Sequence, residues 1–393
     1  MKTIFRSTGY ALLIAAMLTL GAVAGFAQDC DEAAMTAQAD KVRDLFTKKD
    51  IPGRKAAIEA GKVYLEKFGS CPAGAEMATY LKDSLPKREK TLAQAEKDQR
   101  LTEIGGRFDA GLKAKNWDAV YAAGKQLLDE DPEKYRPALL VLGTIGYDET
   151  AKSPRVTKWN DDTLKYAKLA IVDLEAGKTF AFYGVQPFEY KAGKDEAVGW
   201  MNLIIGYIMS WDKNQKKDAL PYLDKAIKSS STAKSDWNLY ETIGQYYFEE
   251  AAKMEGELKT MRAAIKDTDA PEVVKQKVDA LNEKIGILNG TLERAMDAYA
   301  RTYKMAPTTP AGKAYRDGIL GKINDLYDAR FNKKDGVNAW IEAAVVKPIP
   351  SPLTAVTPVI DPEPAAATSS STAPATAVKP TAPAAKAATT AKP

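Results

Sequence analysis

Tyr240-Glu241-Thr242-Ile243-Gly244-Gln245-Tyr246-Tyr247 places a large ring, an Ile-Gly step and a second ring three, one and three residues apart. On a helix these positions share one stripe, and the glycine leaves room where a neighbouring helix must come close. Trp200-x-x-Leu203-x-x-x-Tyr207 repeats the bulk of this pattern, and Leu142-Gly143 with Tyr147 close behind repeats its small step. Each copy is expected to head a helix-turn-helix pair. Helical periodicity dominates the rest, with no convincing run of alternating β-branched residues. The fold class read from the sequence is therefore all-α.

Outward from this stretch, about six helical pairs can be laid out. The first closes with Ala56-Ala57-Ile58-Glu59-Ala60-Gly61-Lys62-Val63-Tyr64-Leu65. The second closes with Ala119-Val120-Tyr121-Ala122-Ala123-Gly124-Lys125-Gln126-Leu127-Leu128, and Ala, Ala-Gly-Lys and Leu coincide when the two are overlaid. Asp131-Pro132 stops the second pair. A third carries Leu164, Ala167, Ala170, Ile171 and Leu174, and a fourth Ala219, Leu220, Leu223, Ala226 and Ile227. The fifth opens with the Tyr240 stretch and closes with Ala295, Tyr299, Tyr303 and Pro307. A sixth, with Ile319, Ile323, Leu326 and Tyr327 followed by Val337, Trp340 and Ala344, reads as a terminal cap.

First helices with a large residue, Leu-Gly and Tyr, second helices with Ala, a bulky residue and a small one, and a closing Asp-Pro resemble tetratricopeptide repeats. Lys115-Asn116-Trp117-Asp118-Ala119-Val120 through Asp131-Pro132 is similar to the second half of such a repeat, as is Ala219 with Leu223 and Ala226. Tyr240, Ile243, Gly244 and Tyr247 resemble the first half; the likeness spans residues 100–307 and is degenerate in each copy. The resemblance implies an α-solenoid of about five to six helix-turn-helix repeats across 28–346. It also implies a concave face lined by first helices, here carrying Tyr147, Met201, Ile205, Met209, Glu241, Gln245 and Phe248. Met, aromatic and polar groups together suit a peptide groove, and ordinary inter-repeat packing leaves the same mixture behind.

The fifth pair departs from the pattern. Its first helix continues through Ala251, Met254, Leu258, Met261 and Ile265, and after a break Val274, Val278, Leu281, Ile285 and Leu288 keep alternating steps of four and three. Two such stripes predict an inserted antiparallel coiled-coil hairpin over 251–290, with arms of about 30 Å. Asp269 reads as the cap of the restart, with Pro271 in its first turn and Glu272 three after the cap. The arms either bury each other alone or form a finger for a partner, and the tip, Lys266 to Pro271, offers no apolar anchor.

The ends are of another character. Lys2, Arg6, an apolar run from Ala11 to Ala24 and small-x-small steps ending at Ala27 predict a secretory signal peptide at 1–27, with a retained N-terminal anchor as the alternative. No later segment is long and apolar enough to span a bilayer. Residues 347–393 are rich in Pro, Ala and Thr and poor in large apolar groups, which predicts a disordered tail. Cys30 and Cys71 are the only cysteines, so in an oxidising compartment they can pair only with each other. The 56 basic and 52 acidic residues are interspersed, without the basic face that nucleic acid needs.

Histidine is absent from all 393 residues, which removes imidazole acid–base chemistry, His-dependent triads and most catalytic zinc and iron sites. Gly105-Gly106 lacks a phosphate-loop context, and adjacent acids such as Glu249-Glu250 diverge on a helix. No catalytic residue, metal ligand or cofactor site is assigned. The connection Phe180-Ala181-Phe182-Tyr183-Gly184-Val185-Gln186-Pro187-Phe188-Glu189-Tyr190 concentrates aromatics, and Phe180, Phe182, Tyr183, Phe188 and Tyr190 form a candidate pocket. The expected function is a non-enzymatic exported scaffold or adaptor, in the periplasm or cell envelope, that binds protein or peptide partners. The alternative is a periplasmic peptide- or solute-binding protein using the 180–190 connection.

Overall fold

A computed structural model describes residues 30–361. The expected signal segment and the tail beyond 361 lie outside the described residues. The chain divides at Thr102/Glu103 into two units, each described by itself.

The first unit packs α1 (Glu32–Phe46) and α2 (Ile51–Phe68) with the first part of α3 (Ala75–Ala114). Asp31 starts α1 by accepting hydrogen bonds from the amides of Ala33 and Ala34, and Asp50 starts α2 by accepting from Gly53. Met35, Val42, Tyr64, Phe68, Leu81 and Leu85 meet in one core. Cys30 and Cys71 are joined in a disulfide, as their isolation in the sequence predicts.

The second unit continues with α4 (Trp117–Glu130), α5 (Ala138–Leu142), α6 (Ile145–Thr150) and α7 (Asn160–Glu175). After a two-residue-per-strand antiparallel pair, β1 (Gly184–Val185) and β2 (Phe188–Glu189), come α8 (Lys194–Trp211) and α9 (Lys216–Lys228). Next are α10 (Trp237–Ala263), α11 (Pro271–Met305), α12 (Pro310–Phe331) and α13 (Val337–Val345). The described residues are overwhelmingly helical, so the all-α class holds.

The close approach expected at the Ile-Gly step is present. A Cβ on Gly244 would lie 3.0 Å from the ring of Tyr299 on α11. The Leu142-Gly143 copy behaves differently, because the helix breaks there into α5 and α6. The carbonyl of Leu142 accepts the Tyr121 hydroxyl at 2.8 Å, while the amide of Gly146 donates to Thr163 Oγ1 at 2.9 Å. Two side chains, from α4 and α7, thus take the partners that one regular helical bond would have joined. A Cβ on Gly143 would also meet the backbone of Ala167 at 3.0 Å, which lets α7 cross at this point.

α8 is apolar on nearly every face after its charged first turn and is buried without a break from Met201 to Ser210, as such a helix must be. α10 and α11 form a helical hairpin, with Glu257 paired to Lys284 at 2.5 Å and Lys277 Nζ donating to the Ala264 carbonyl at 2.7 Å. Ala251, Leu258 and Leu281 are buried between the arms. Asp269 does not cap α11. Ala270 holds that position without a side-chain bond, and Asp269 instead accepts from the Lys266 amide and pairs with Lys277.

The expected boundary at 347 comes too early. Residues 347–361 are neither helix nor strand yet are held against α11 by specific hydrogen bonds. Composition correctly shows that this segment cannot build a core. It does not need one, since other residues supply the surface on which it lies.

Candidate functional site

α6, α8, α10 and α12 bring one aromatic cluster together. Tyr147 on α6 meets Trp200 and Tyr207 on α8 edge-on, with ring centroids 6.3 and 5.0 Å apart. Its hydroxyl donates to Asp236 Oδ2 at 3.0 Å and accepts from Asn238 Nδ2 at 3.0 Å. Asp236 also starts α10 by accepting from the Asn238 amide at 2.8 Å. One carboxylate therefore fixes both a helix start and a ring. Trp211 at the far end of α8 donates its indole N–H to Thr242 Oγ1 at 2.8 Å, which locks α8 to α10. Trp237 packs on Tyr315 of α12 at 4.6 Å.

Acids line the edge of these rings. Burial raises Asp236 above the ordinary carboxylate range, against the pull of the bonds from Asn238 and Tyr147. Glu241 is raised too, first by burial, with Lys322, Tyr315 and Arg155 opposing. The Tyr315 hydroxyl is buried beside Glu241 without closing a full hydrogen bond to it. Asp148 is exposed at its tip but densely surrounded by protein; desolvation pushes it up to about 6, Lys152 opposes, and Glu149 and Asp236 add to the rise. Into this edge comes a cation. Arg155, an exposed residue of the α6–α7 connection, holds its guanidinium 4.3 Å from the Trp211 ring centroid and faces Tyr207 and Glu241.

Of the groove residues expected from motif register, Tyr147 and Glu241 belong to this cluster. Met201, Ile205 and Met209 do not: they are buried around α8, as Tyr147 and Tyr207 are, but make none of the ring contacts or hydrogen bonds that define the cluster. Gln245 is half-buried, accepts from the Tyr299 hydroxyl at 3.0 Å and donates to Glu249, and Phe248 is half-buried on the same helix. The residues missed are Trp200, Tyr207 and Trp211, together with Asp236, Tyr315 and Arg155. The signal for the first two was in the opening pattern, since Trp200 and Tyr207 are its own large positions.

The aromatic connection works mainly as a plug. Phe180, Phe188 and Tyr190 are buried. Phe180 stacks on Tyr183, Phe188 packs against Trp117, and Tyr190 shares a 2.5 Å hydrogen bond with Thr144. Only Phe182 stands out, about half exposed, over a cavity of ≈190 Å³ lined by Phe108, Leu127, Tyr135 and Val141. Sites for drug-sized ligands begin at about 300 Å³.

Among the described residues no group of three or more Cys, Asp or Glu is placed to hold a metal, and no helix is long and apolar enough to cross a membrane. Comparison with known protein families, curated proteins and solved structures finds no match.

Proposed function

We infer that this chain is an exported, non-enzymatic scaffold whose helical-repeat domain binds basic protein segments at the aromatic–acid cluster. The carrying observation is Arg155. Its guanidinium lies over Trp211 and faces Tyr207 and Glu241, so the cluster already accommodates a cation supplied by a loop of the same chain. Indole and phenol faces attract such a group, and a cation placed beside Asp236 and Glu241 favours the charged form that burial of these carboxyls opposes. A partner presenting Lys or Arg would displace the loop and take its place.

Tetratricopeptide-like stacking into an open spiral is the arrangement in which first helices α6, α8, α10 and α12 share one face, and the contacts just described support that reading. A supercoiled α10–α11 hairpin fits the four-three spacing of its apolar residues. The disulfide suits an oxidising compartment such as the periplasm or envelope. The solute-binding alternative loses support from the burial of Phe180, Phe188 and Tyr190.

The test compares fluorescent Lys/Arg-rich and Asp/Glu-rich peptides of equal length by anisotropy. The basic peptide should bind and the acidic one should not. Trp211→Ala should weaken binding about tenfold, while Arg155→Ala should tighten it by emptying the site. Equal binding of both peptides, or weaker binding by the Arg155 variant, would overturn the assignment.

A further inference from the structure

α11 holds the segment 351–361 against its surface. Arg294 donates to the carbonyls of Thr354 and Ala355, both at 2.8 Å, and to Thr354 Oγ1 at 3.0 Å. Eight residues earlier, the Gly286 carbonyl accepts from the Val359 amide at 2.9 Å, and Asn289 Nδ2 donates to the Val359 carbonyl at 3.1 Å. Four residues of the segment thus cover two turns of helix, about 12 Å, or about 3 Å per residue. That is the rise of an extended or polyproline-like chain.

The helix surface is shaped for this. A Cβ on Gly290 would sit 2.4 Å from the Thr357 carbonyl oxygen, and one on Gly286 would sit 3.2 Å from Pro358. Both ends are fastened. Ser351 Oγ donates to Asp224 at 2.6 Å, and Arg330 grips both oxygens of Asp361 at 2.8 Å. Between Thr354 and Val359 the hydrogen bonds fall mostly on main chain, while the two ends are held through the side chains of Ser351 and Asp361. Thr354, Val356 and Val359 also wall a cavity of ≈600 Å³ whose other side carries Glu293, Asp297 and Trp340.

We propose that α11 carries a peptide-binding groove for an extended, proline-bearing chain, occupied in cis by residues 351–361 of this protein. The groove is made of Gly286 and Gly290, which admit the backbone, of Asn289 and Arg294 on the same helix, which hold it, and of Arg330 on α12, which fastens its end. Release of the segment opens the adjoining cavity. Asn289-Gly290-Thr291 fits the Asn-x-Thr pattern of a glycosylation acceptor, and it falls inside the groove, where its Asn is engaged with the segment.

The experiment places a protease site between Lys347 and Pro348 of the full chain, both exposed, and cleaves it after folding. The released C-terminal fragment should co-elute with the body on gel filtration and exchange with an excess of synthetic peptide 348–361. In a Gly290→Ala background, where helix propensity rises and far-UV circular dichroism should be unchanged, the fragment should separate. Arg294→Ala should weaken retention about tenfold or more. A fragment that leaves the unsubstituted body, or one that stays on the folded Gly290→Ala body, would overturn the proposal.

Discussion

Removing a single oxygen with Tyr147→Phe tests how the aromatic cluster is held. The hydroxyl donates to Asp236 and accepts from Asn238, each at 3.0 Å, and Asn238 is buried. A hydrogen bond to a charged group contributes about 1.5–3 kcal/mol and a neutral one about 1 kcal/mol. Asp236 is half-buried and keeps its bond from the Asn238 amide, which places the loss at the lower end, about 2 kcal/mol in total. For a unit of this size that corresponds to a fall in Tm of about 4–8 °C. The loss should also depend on pH. Burial raises Asp236 in the folded state, and the Tyr147 bond favours its charged form. Removing that bond raises the folded pKa further, so the penalty grows as pH rises and the carboxylate must ionise. Melting followed by circular dichroism at pH 5 and pH 8 is the assay. A Tm within about 1 °C of the parent at pH 8, or a larger loss at pH 5, would refute this account.

Three further outcomes are expected. Replacing Cys30 and Cys71 by Ser opens a cross-link with a sequence separation of 41, which costs about 4 kcal/mol in the chain-entropy model, read as a drop in the denaturant midpoint of the first unit. Asp148→Asn should stabilise at pH 8 and be neutral at pH 4. The folded pKa of about 6 lies above the ordinary value, so the native state loses stability as pH rises through that window; the exposed tip keeps the gain below about 1 kcal/mol. Replacing Glu255 to Ile285 with a short Gly-Ser link should leave basic-peptide binding unchanged, because Tyr147, Trp211 and Glu241 lie outside the hairpin. A lost anisotropy signal in a folded variant would show that the hairpin takes part.

What could be read from the chain follows from how local each signal is. The Tyr240 stretch exposed a helix, its long continuation and a close approach at Gly244, because each depends on spacing within one helix. The register of α8 was not readable in the same way. Where every face is apolar, periodicity no longer says which side looks outward, so Met201 and Ile205 were indistinguishable from Trp200 and Tyr207 by hydrophobicity alone. Polar reach separates them, since an indole N–H needs a partner when buried, and Trp200 and Trp211 find theirs in Glu196 and Thr242.

The break at Gly143 was illegible for a different reason. It requires a hydroxyl from Tyr121 and another from Thr163, brought by helices distant in sequence. The segment 347–361 shows the limit of composition most clearly. Few apolar groups mean that a chain cannot fold by itself, but a backbone has a carbonyl at every residue, and one arginine with several fixed donors can recognise two of them without any side-chain signal in the segment. The readable sign lay on the receiving helix. Gly286 and Gly290 stand four apart on a long helix where each costs about 1 kcal/mol against alanine. Spacing alone does not say what such a stripe faces: Gly318 and Gly321 on α12 meet open space, whereas Gly286 and Gly290 lie under Pro358 and Thr357.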